Sequence, residues 1–340
     1  MKNGSKWIAI AVVVFGLAAP LRAQEVIVLA GLDEAIARIE ADNWWNEKKR
    51  GQQLKVPRAM IVAISERWQK NAPKLPVPTK KKIFFSAMLP LVVHANTMVL
   101  DRRDRLHRAD AKLARGGALS AEEVAKLQEM AVLLRIASRE KAGRMTDSAE
   151  LRKVIKQALY RLDVIPAGLV LGQAAYESGY GTSRFAVLGN ALFGQWAYGG
   201  EGLIPEQQRK QLGDHRIASF EWPFDSVRSY FINLSAHPAY EDFRRIRAEQ
   251  KTAGKPLSSL ALAEGLKSYS ERGQTYVDTL KGIIRVNSLD VADGAVFRDE
   301  PMRFILGAVD QAAAAKLRKD IKAMRKSGEF EKIVKRMRLD

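Results

Sequence analysis

Apolar residues recur at intervals of three and four positions along most of the chain, which is the spacing of amphipathic helices. One long segment of this kind begins at Lys80, a second follows Ser120 and a third follows Asp147. Ser120 and Glu123 have the spacing of a capping box, and Asp147 or Ser148 is a suitable N-cap for the next helix. Because strand-like alternation is scarce, the pattern predicts a mainly α fold.

Proline and glycine mark the places where the helical pattern stops. Pro90 lies inside the segment that begins at Lys80, and we expect a kink or a break there. Glycine and proline are frequent between residues 196 and 222, so this region is predicted to form one small β-hairpin. Further prolines predict a stiff linker at the end of an N-terminal arm: Pro57, Pro73, Pro76 and Pro78.

The first residues have the pattern of a secretory signal peptide. Lys2 and Lys6 precede an apolar run from Trp7 to about Ala19, and Ala23 supplies the small residue of the predicted cleavage site. A membrane anchor is the alternative, but the apolar run is shorter than the roughly 20 residues that cross a bilayer. We therefore expect an exported protein of the periplasm or the cell envelope.

These features divide the chain into four parts. The predicted signal peptide covers residues 1–23, a helical arm with its proline-rich linker covers 24–79, and the main domain covers 80–290. Residues 291–340 are rich in lysine and arginine, and we expect one or two basic helices there, outside the main domain. With 47% hydrophobic residues, the chain can bury one large core or two smaller ones.

The chain is strongly basic, with a formal net charge of +18. Such a charge favours a polyanionic partner. For an exported protein, an anionic cell-wall polymer or a membrane surface fits better than nucleic acid, although a basic surface that serves only solubility explains the charge equally well. The chain contains no cysteine, so the fold has to be held by packing alone.

Glu177 is the candidate for chemistry. On a helix begun by Pro166 it shares a face with apolar residues, and Gln173 lies beside it. Partial desolvation would raise the pKa of the carboxyl group and keep it protonated near neutral pH, as a general acid requires. Gly179 and Gly181 are expected to end the helix and to leave space beside the glutamate. Because a glutamate near a helix end is usually a solvated surface residue, the assignment depends on the motifs around it.

Residues 166–196, PAGLVLGQAAYESGYGTSRFAVLGNALFGQW, resemble the catalytic motif of bacterial β-N-acetylglucosaminidases that cleave peptidoglycan, most closely their Bax-type branch. The resemblance covers roughly residues 80–290, and later segments such as YSERGQTYVDTLKGIIRVNSL follow in the family's order. It implies a lysozyme-like helical catalytic domain with a small flexible β-hairpin lobe. It further implies Glu177 as the catalytic acid and cleavage of β-1,4 bonds after N-acetylglucosamine in peptidoglycan glycan strands.

The same resemblance implies the residues that bind substrate. Asn190 and Phe193 match the family's GNNLFG loop, although Ala191 replaces its second asparagine here. Tyr180 stands where tryptophan is usual, and Tyr176 stands where asparagine is common. These substitutions leave the acid in place and alter groups that would stack on sugars or hydrogen-bond to them. The substrate-binding residues predicted are Gln173, Tyr180, Asn190, Phe193 and Tyr230, with core packing as the alternative for Tyr230.

The resemblance gives Glu177 two kinds of partner. Tyr269 matches a tyrosine that the family keeps beside its catalytic glutamate, and core packing is again the alternative. Glycoside hydrolysis ordinarily needs a second carboxylate, and Glu206 is favoured over the other candidates of the hairpin lobe. Glu271 and the substrate's own acetamido oxygen remain open as alternatives. The candidates of the lobe are Glu201, Glu206 and Asp214.

No metal or cofactor is predicted. The histidines have no spacing typical of metal ligands: His94, His107, His215 and His237. The resemblance implies no cofactor either.

Two other functions remain open. A lytic transglycosylase uses the same fold and a single glutamate, but forms an anhydro product. A non-catalytic wall-binding or scaffold protein would use the basic surface alone.

Overall fold

The computed structural model describes residues 25–43, 51–197 and 216–332 of the chain. Most of these residues are helical, and the fold is mainly α and lysozyme-like, as predicted. The expected signal peptide lies outside the described residues. The first helices are α1 (Leu32–Asp42), α2 (Glu66–Asn71) and α3 (Val77–Ala114).

The helices that follow α3 build the larger part of the protein. Short 3-10 turns at Ala72–Lys74, Pro238–Tyr240, Ala263–Tyr269 and Leu289–Ala292 connect some of them. They are α4 (Ala121–Leu133), α5 (Arg139–Gly143), α6 (Ser148–Arg161), α7 (Ala167–Ser178), α8 (Arg184–Gly189), α9 (Pro223–Ala236), α10 (Glu241–Thr252), α11 (Ser259–Leu262), α12 (Gln274–Val286) and α13 (Gln311–Ser327).

Helix α3 is continuous through Pro90, so the expected break does not occur. Pro90 and its neighbours on both sides are buried, and we infer that this packing offsets the hydrogen bond that proline cannot make. Pro76 is the N-cap of α3 and Pro78 lies in its first turn, where a missing N–H costs nothing. An 18-residue stretch of α3 is long and apolar enough to cross a membrane, but 67% of it is buried inside the protein.

The predicted helix caps are present. Ser120 accepts a hydrogen bond from the N–H of Glu123, and the Glu123 carboxylate accepts one from the N–H of Ser120, which completes the capping box of α4. The Asp147 side chain caps α6 by accepting hydrogen bonds from the N–H groups of Ala149 and Glu150. These local signals were therefore confirmed.

A three-stranded parallel sheet, which the pattern did not predict, joins the N-terminal arm to the C-terminal segment. Its strands are β1 (Glu25–Leu29), β7 (Arg303–Gly307) and β3 (Ala59–Ile61), with β7 in the centre. The register pairs Ile27 of β1 with Ile305 of β7. A second parallel pair, β2 (Lys55–Val56) and β6 (Val296–Phe297), links the same two segments. The expected domain boundaries at residues 79 and 290 stay predictions, but the segments beyond them fold together.

The predicted hairpin begins at its expected position. Strands β4 (Trp196–Ala197) and β5 (Arg216–Ile217) are antiparallel, with Trp196 opposite Ile217. Residues 198–215, which connect them, lie outside the described residues.

Helix α7 lies in the core. Every residue from Ala167 to Ala175 is buried. Two glycines allow close packing: a Cβ on Gly168 would lie 2.5 Å from the carbonyl oxygen of Leu289, and a Cβ on Gly172 would lie 3.0 Å from side-chain atoms of α12. The helix is thereby fixed from its first turn, and its C-terminal end carries Glu177.

Candidate active site

Glu177 lies in the last turn of α7. The helix begins directly after Pro166 and ends at Gly179, whose φ of 57° is left-handed, as predicted. Gly181 was expected to leave space beside Glu177, and this was wrong. A Cβ there would lie 3.2 Å from the indole nitrogen of Trp68, so this glycine serves the packing of α2.

The two carboxyl oxygens of Glu177 have different surroundings. Oε1 accepts a hydrogen bond of 2.8 Å from the hydroxyl of Tyr276. Oε2 lies on the side of Gly194, where an added Cβ would be 3.6 Å from it. The side chain as a whole is partly buried. Because Gly194 has no side chain, no Cβ lies against Oε2 at this position.

Burial raises the pKa of Glu177, and the hydrogen bond from Tyr276 opposes that rise. Within the described residues, no charged side chain contributes to this balance. The pKa of the carboxyl group therefore depends on desolvation and on one neutral donor, and the net effect favours the protonated form relative to an exposed glutamate.

A directed series of hydrogen bonds ends on Glu177. The Tyr230 hydroxyl donates to Oε1 of Gln173, and Nε2 of Gln173 donates to the Tyr276 hydroxyl at 2.8 Å. Because the Tyr276 oxygen already accepts this bond, its own proton is available for Glu177. Burial and the charge of Glu177 raise the pKa of Tyr276, so this hydroxyl stays protonated. When Glu177 is protonated, its proton therefore belongs on Oε2, because Oε1 is an acceptor.

Tyr269 supports the site from beside Tyr276. The two rings are parallel within 9° and their centroids are 5.7 Å apart. The Tyr269 hydroxyl donates to the carbonyl oxygen of Phe193 at 2.8 Å, and the Phe193 ring stacks on Tyr230 at 4.2 Å. Tyr269 thus holds the segment that precedes Gly194, and its hydroxyl is not bonded to Glu177.

The structure brings several of the expected residues together around Glu177: Gln173, Phe193, Tyr230 and Tyr269. Gln173, Phe193 and Tyr230 are almost completely buried, and Gln173 and Tyr230 are hydrogen-bonded to each other. Direct contact between these three side chains and a sugar stays a prediction. Their observed contacts are those of groups that orient Tyr276 and the Phe193 segment.

Asn190 and Tyr180 make other contacts. The Asn190 side chain accepts from the N–H of Ile64 at 3.2 Å and donates to the carbonyl oxygens of Phe220 and Glu221. Asn190 therefore connects the end of α8 to Ile64 and to the segment that contains Phe220 and Glu221.

The Tyr180 ring packs edge-on against Phe84 and Phe85 of α3. Its carbonyl oxygen accepts a hydrogen bond from the indole N–H of Trp68 at 2.9 Å. A role in substrate binding stays a prediction for Asn190 and for Tyr180.

The candidates for a second carboxylate in the hairpin lobe lie outside the described residues: Glu201, Glu206 and Asp214. Glu271 is described and is exposed. No group of potential metal ligands occurs among the described residues.

Tyr276 is the functional residue that sequence reasoning missed. It is buried on α12, seven positions after Tyr269, where its spacing predicts only core packing. The spacing of seven residues gave no signal, because Tyr269 ends a 3-10 turn and Tyr276 lies on the separate helix α12. Which tyrosine donates to Glu177 depends on the three-dimensional packing of α12 against α7.

The comparisons with known proteins agree with this geometry. The family model for glucosaminidases, described as mannosyl-glycoprotein endo-β-N-acetylglucosaminidase, matches residues 152–289, which include Glu177 and Tyr276. The chain is 30% identical over 214 residues to Protein bax of Escherichia coli strain K12, which covers 63% of this chain and 72% of that protein. No solved structure matches the chain.

The match of residues 152–289 to the glucosaminidase model indicates a glycosidase-type enzyme, and Glu177 lies within the matched residues. The chain belongs to the Bax-like glucosaminidase family. Membership indicates a glycan as substrate and hydrolysis as the reaction.

Proposed function

We propose that this chain is an exported peptidoglycan hydrolase that cleaves the β-1,4 bond after N-acetylglucosamine, with Glu177 as general acid. The observation that carries the proposal is the unequal environment of the two Glu177 oxygens. Oε1 is occupied by the Tyr276 hydroxyl, and Oε2 faces Gly194. The match of residues 152–289 to glucosaminidases supports a glycan substrate, and the resemblance to the peptidoglycan-cleaving branch supports peptidoglycan as that glycan.

The contacts of Glu177 are compatible with its protonated state before the proton transfer and with its carboxylate state afterwards. Before the reaction, burial favours the protonated carboxyl group by raising its pKa, and we place the proton on Oε2, next to the glycosidic oxygen. After the transfer, the carboxylate retains the hydrogen bond from Tyr276, which is stronger to an anion than to a neutral acid. Gln173 keeps the Tyr276 proton pointed at Glu177 throughout.

The second catalytic group is not among the contacts of Glu177 in the described residues. Glu206 of the hairpin lobe is the favoured partner, and Glu201, Asp214, Glu271 and the acetamido oxygen of the substrate are the alternatives. Replacing each candidate carboxylate in turn by its amide and measuring cleavage distinguishes these possibilities. If every such variant keeps its activity, the acetamido route is supported.

Product analysis tests the reaction. Purified peptidoglycan is digested with the enzyme, and the fragments are examined by mass spectrometry before and after borohydride reduction. Reducible N-acetylglucosamine ends are expected. Anhydro-muramic ends would instead identify a lytic transglycosylase, and reducible muramic ends would assign the cut to the other glycosidic bond.

We further propose that basic residues of α13 add affinity for an anionic wall polymer or membrane surface. Lys319, Lys322 and Lys326 are exposed on this helix, whereas Ala314 is buried. Truncation at residue 290 is a poor test, because it would remove the central strand β7. Replacing the three lysines by glutamate should weaken wall binding and reduce its dependence on salt. Unchanged salt dependence would leave α13 with a packing role only.

A further inference from the structure

A cavity of about 200 Å³ lies between α1, the three-stranded sheet, α2 and the first half of α3. Glu177 does not line it, so it is distinct from the candidate active site. Protein interiors are close-packed and leave few voids larger than a water molecule. This cavity is instead partly open to solvent, so a ligand could enter it. Its walls are mostly apolar and include Leu32, Ile39, Ile61, Ile83, Met88 and Ile305.

The charged residues of the cavity wall leave one positive charge in excess. Arg38 and Asp42 form an ion pair at 3.2 Å, and Arg67 is the third charged residue of the lining. Nη1 of Arg67 donates to two carbonyl oxygens, that of Ala30 at 3.2 Å and that of Ala308, while Nε and Nη2 have no hydrogen bond to a described residue. The carboxylate of Glu34, an electrostatic neighbour of Arg67, lies outside the lining. The cavity therefore favours an anion over a cation.

We propose that this cavity binds a free medium-chain carboxylate, with its alkyl chain against the apolar walls and its carboxylate on Arg67. The volume sets the chain length. An apolar cavity of about 150 Å³ holds the six carbons of benzene, so the present cavity holds about eight. This proposal does not depend on the peptidoglycan-cleaving activity.

Trp68 makes occupancy measurable. Its side chain lines the cavity, and its indole N–H donates to the carbonyl oxygen of Tyr180, three residues after Glu177. A ligand that enters the cavity changes the environment of the indole, so binding should alter tryptophan fluorescence.

The first experiment titrates the full chain with sodium octanoate, followed by tryptophan fluorescence and isothermal calorimetry. We expect saturable binding of one molecule per chain. Butanoate should bind at least about tenfold more weakly, because it buries fewer methylene groups. Octylammonium has the same alkyl chain and should also bind at least about tenfold more weakly, since it carries the wrong charge. Absence of saturable octanoate binding, or equal binding of either control, would overturn the proposal.

Two alanines of α1 provide a matched pair of variants. Ala35 lines the cavity, whereas Ala37 is exposed on the same helix and does not line it. Ala35→Phe should fill the cavity and weaken octanoate binding at least about tenfold, and Ala37→Phe should bind as the wild type does. Equal binding by both variants would place the ligand elsewhere. Circular dichroism checks that both variants fold, and if Ala35→Phe does not, the wild-type ligand series still decides the question.

Discussion

Replacing Tyr276 by phenylalanine removes one hydroxyl group and keeps the ring that stacks on Tyr269. Oε1 of Glu177 then loses its hydrogen bond of 2.8 Å. A hydrogen bond to a charged group contributes about 1.5–3 kcal/mol, and we take the lower value because Glu177 is partly exposed. Since this bond favours the carboxylate, its loss should move the basic limb of the pH profile of kcat/KM upward, by about one pH unit.

The same variant should lower activity at the optimum. The carboxylate formed after proton transfer loses about 1.4 kcal/mol of stabilisation, which corresponds to a decrease of about tenfold in kcat. Nε2 of Gln173 also loses its acceptor in a fully buried position, at a cost of about 1–3 kcal/mol in unfolding free energy.

Tyr269→Phe is the matched control. It removes the hydroxyl of the neighbouring stacked ring, but that hydroxyl is bonded to the Phe193 carbonyl instead of Glu177. Kinetics on soluble peptidoglycan fragments across the acidic and neutral range should show a displaced limb in Tyr276→Phe and an unmoved limb in Tyr269→Phe. A limb that stays in place or moves downward in Tyr276→Phe, or equal displacement in both variants, would refute the reasoning.

Three further predictions concern other positions. Gly194→Ala would place a methyl group 3.6 Å from Oε2 of Glu177, so kcat/KM should fall. Because the φ of residue 194 is 59°, the unfolding free energy should also drop by about 1 kcal/mol. Unchanged kinetics would contradict the placement of Oε2. Burial raises the pKa of Asp293 from 3.8 to about 6, so its contribution to stability is present below pH 3.8 and is lost as pH rises through about 6. The unfolding free energy of the wild type relative to Asp293→Asn should therefore fall by about 3 kcal/mol over that window, and a flat difference would exclude the raised pKa. In urea denaturation, Gly168→Ala should lower the unfolding free energy by at least about 2 kcal/mol, because its Cβ would meet a carbonyl oxygen at 2.5 Å. Gly282→Ala, whose Cβ would meet no atom within 4 Å, should raise the unfolding free energy by about 1 kcal/mol. Similar effects of the two variants would contradict the packing of α7.

The sequence predicted those parts of the fold that local interactions determine. The capping box at Ser120 and the helix from Pro166 to Gly179 each depend on residues within a few positions of one another. The parallel pairing of β1 with β7 was not predicted, because it joins residues near 27 and 305 and leaves no local pattern. The short strands also lack the alternation by which strands are recognised.

The sequence also predicted part of the candidate site, namely Glu177 but not its hydrogen-bond donor Tyr276. Glu177 could be found because a carboxylate among small and apolar helix neighbours is unusual, and the surrounding motif resembles a known family. Tyr276 could not be found, since a buried tyrosine on a helix has the same sequence pattern whether or not its hydroxyl has a function. The direction of its proton depends on Gln173, which lies on another helix.

The most direct test of the central claim compares the wild type with Glu177→Gln. Glutamine keeps the size of the side chain and an acceptor for Tyr276, but it has no carboxyl proton to donate. We predict that cleavage of peptidoglycan falls by at least about 100-fold while binding to insoluble peptidoglycan is unchanged. Cleavage at the wild-type rate would contradict the assignment of Glu177 as the general acid.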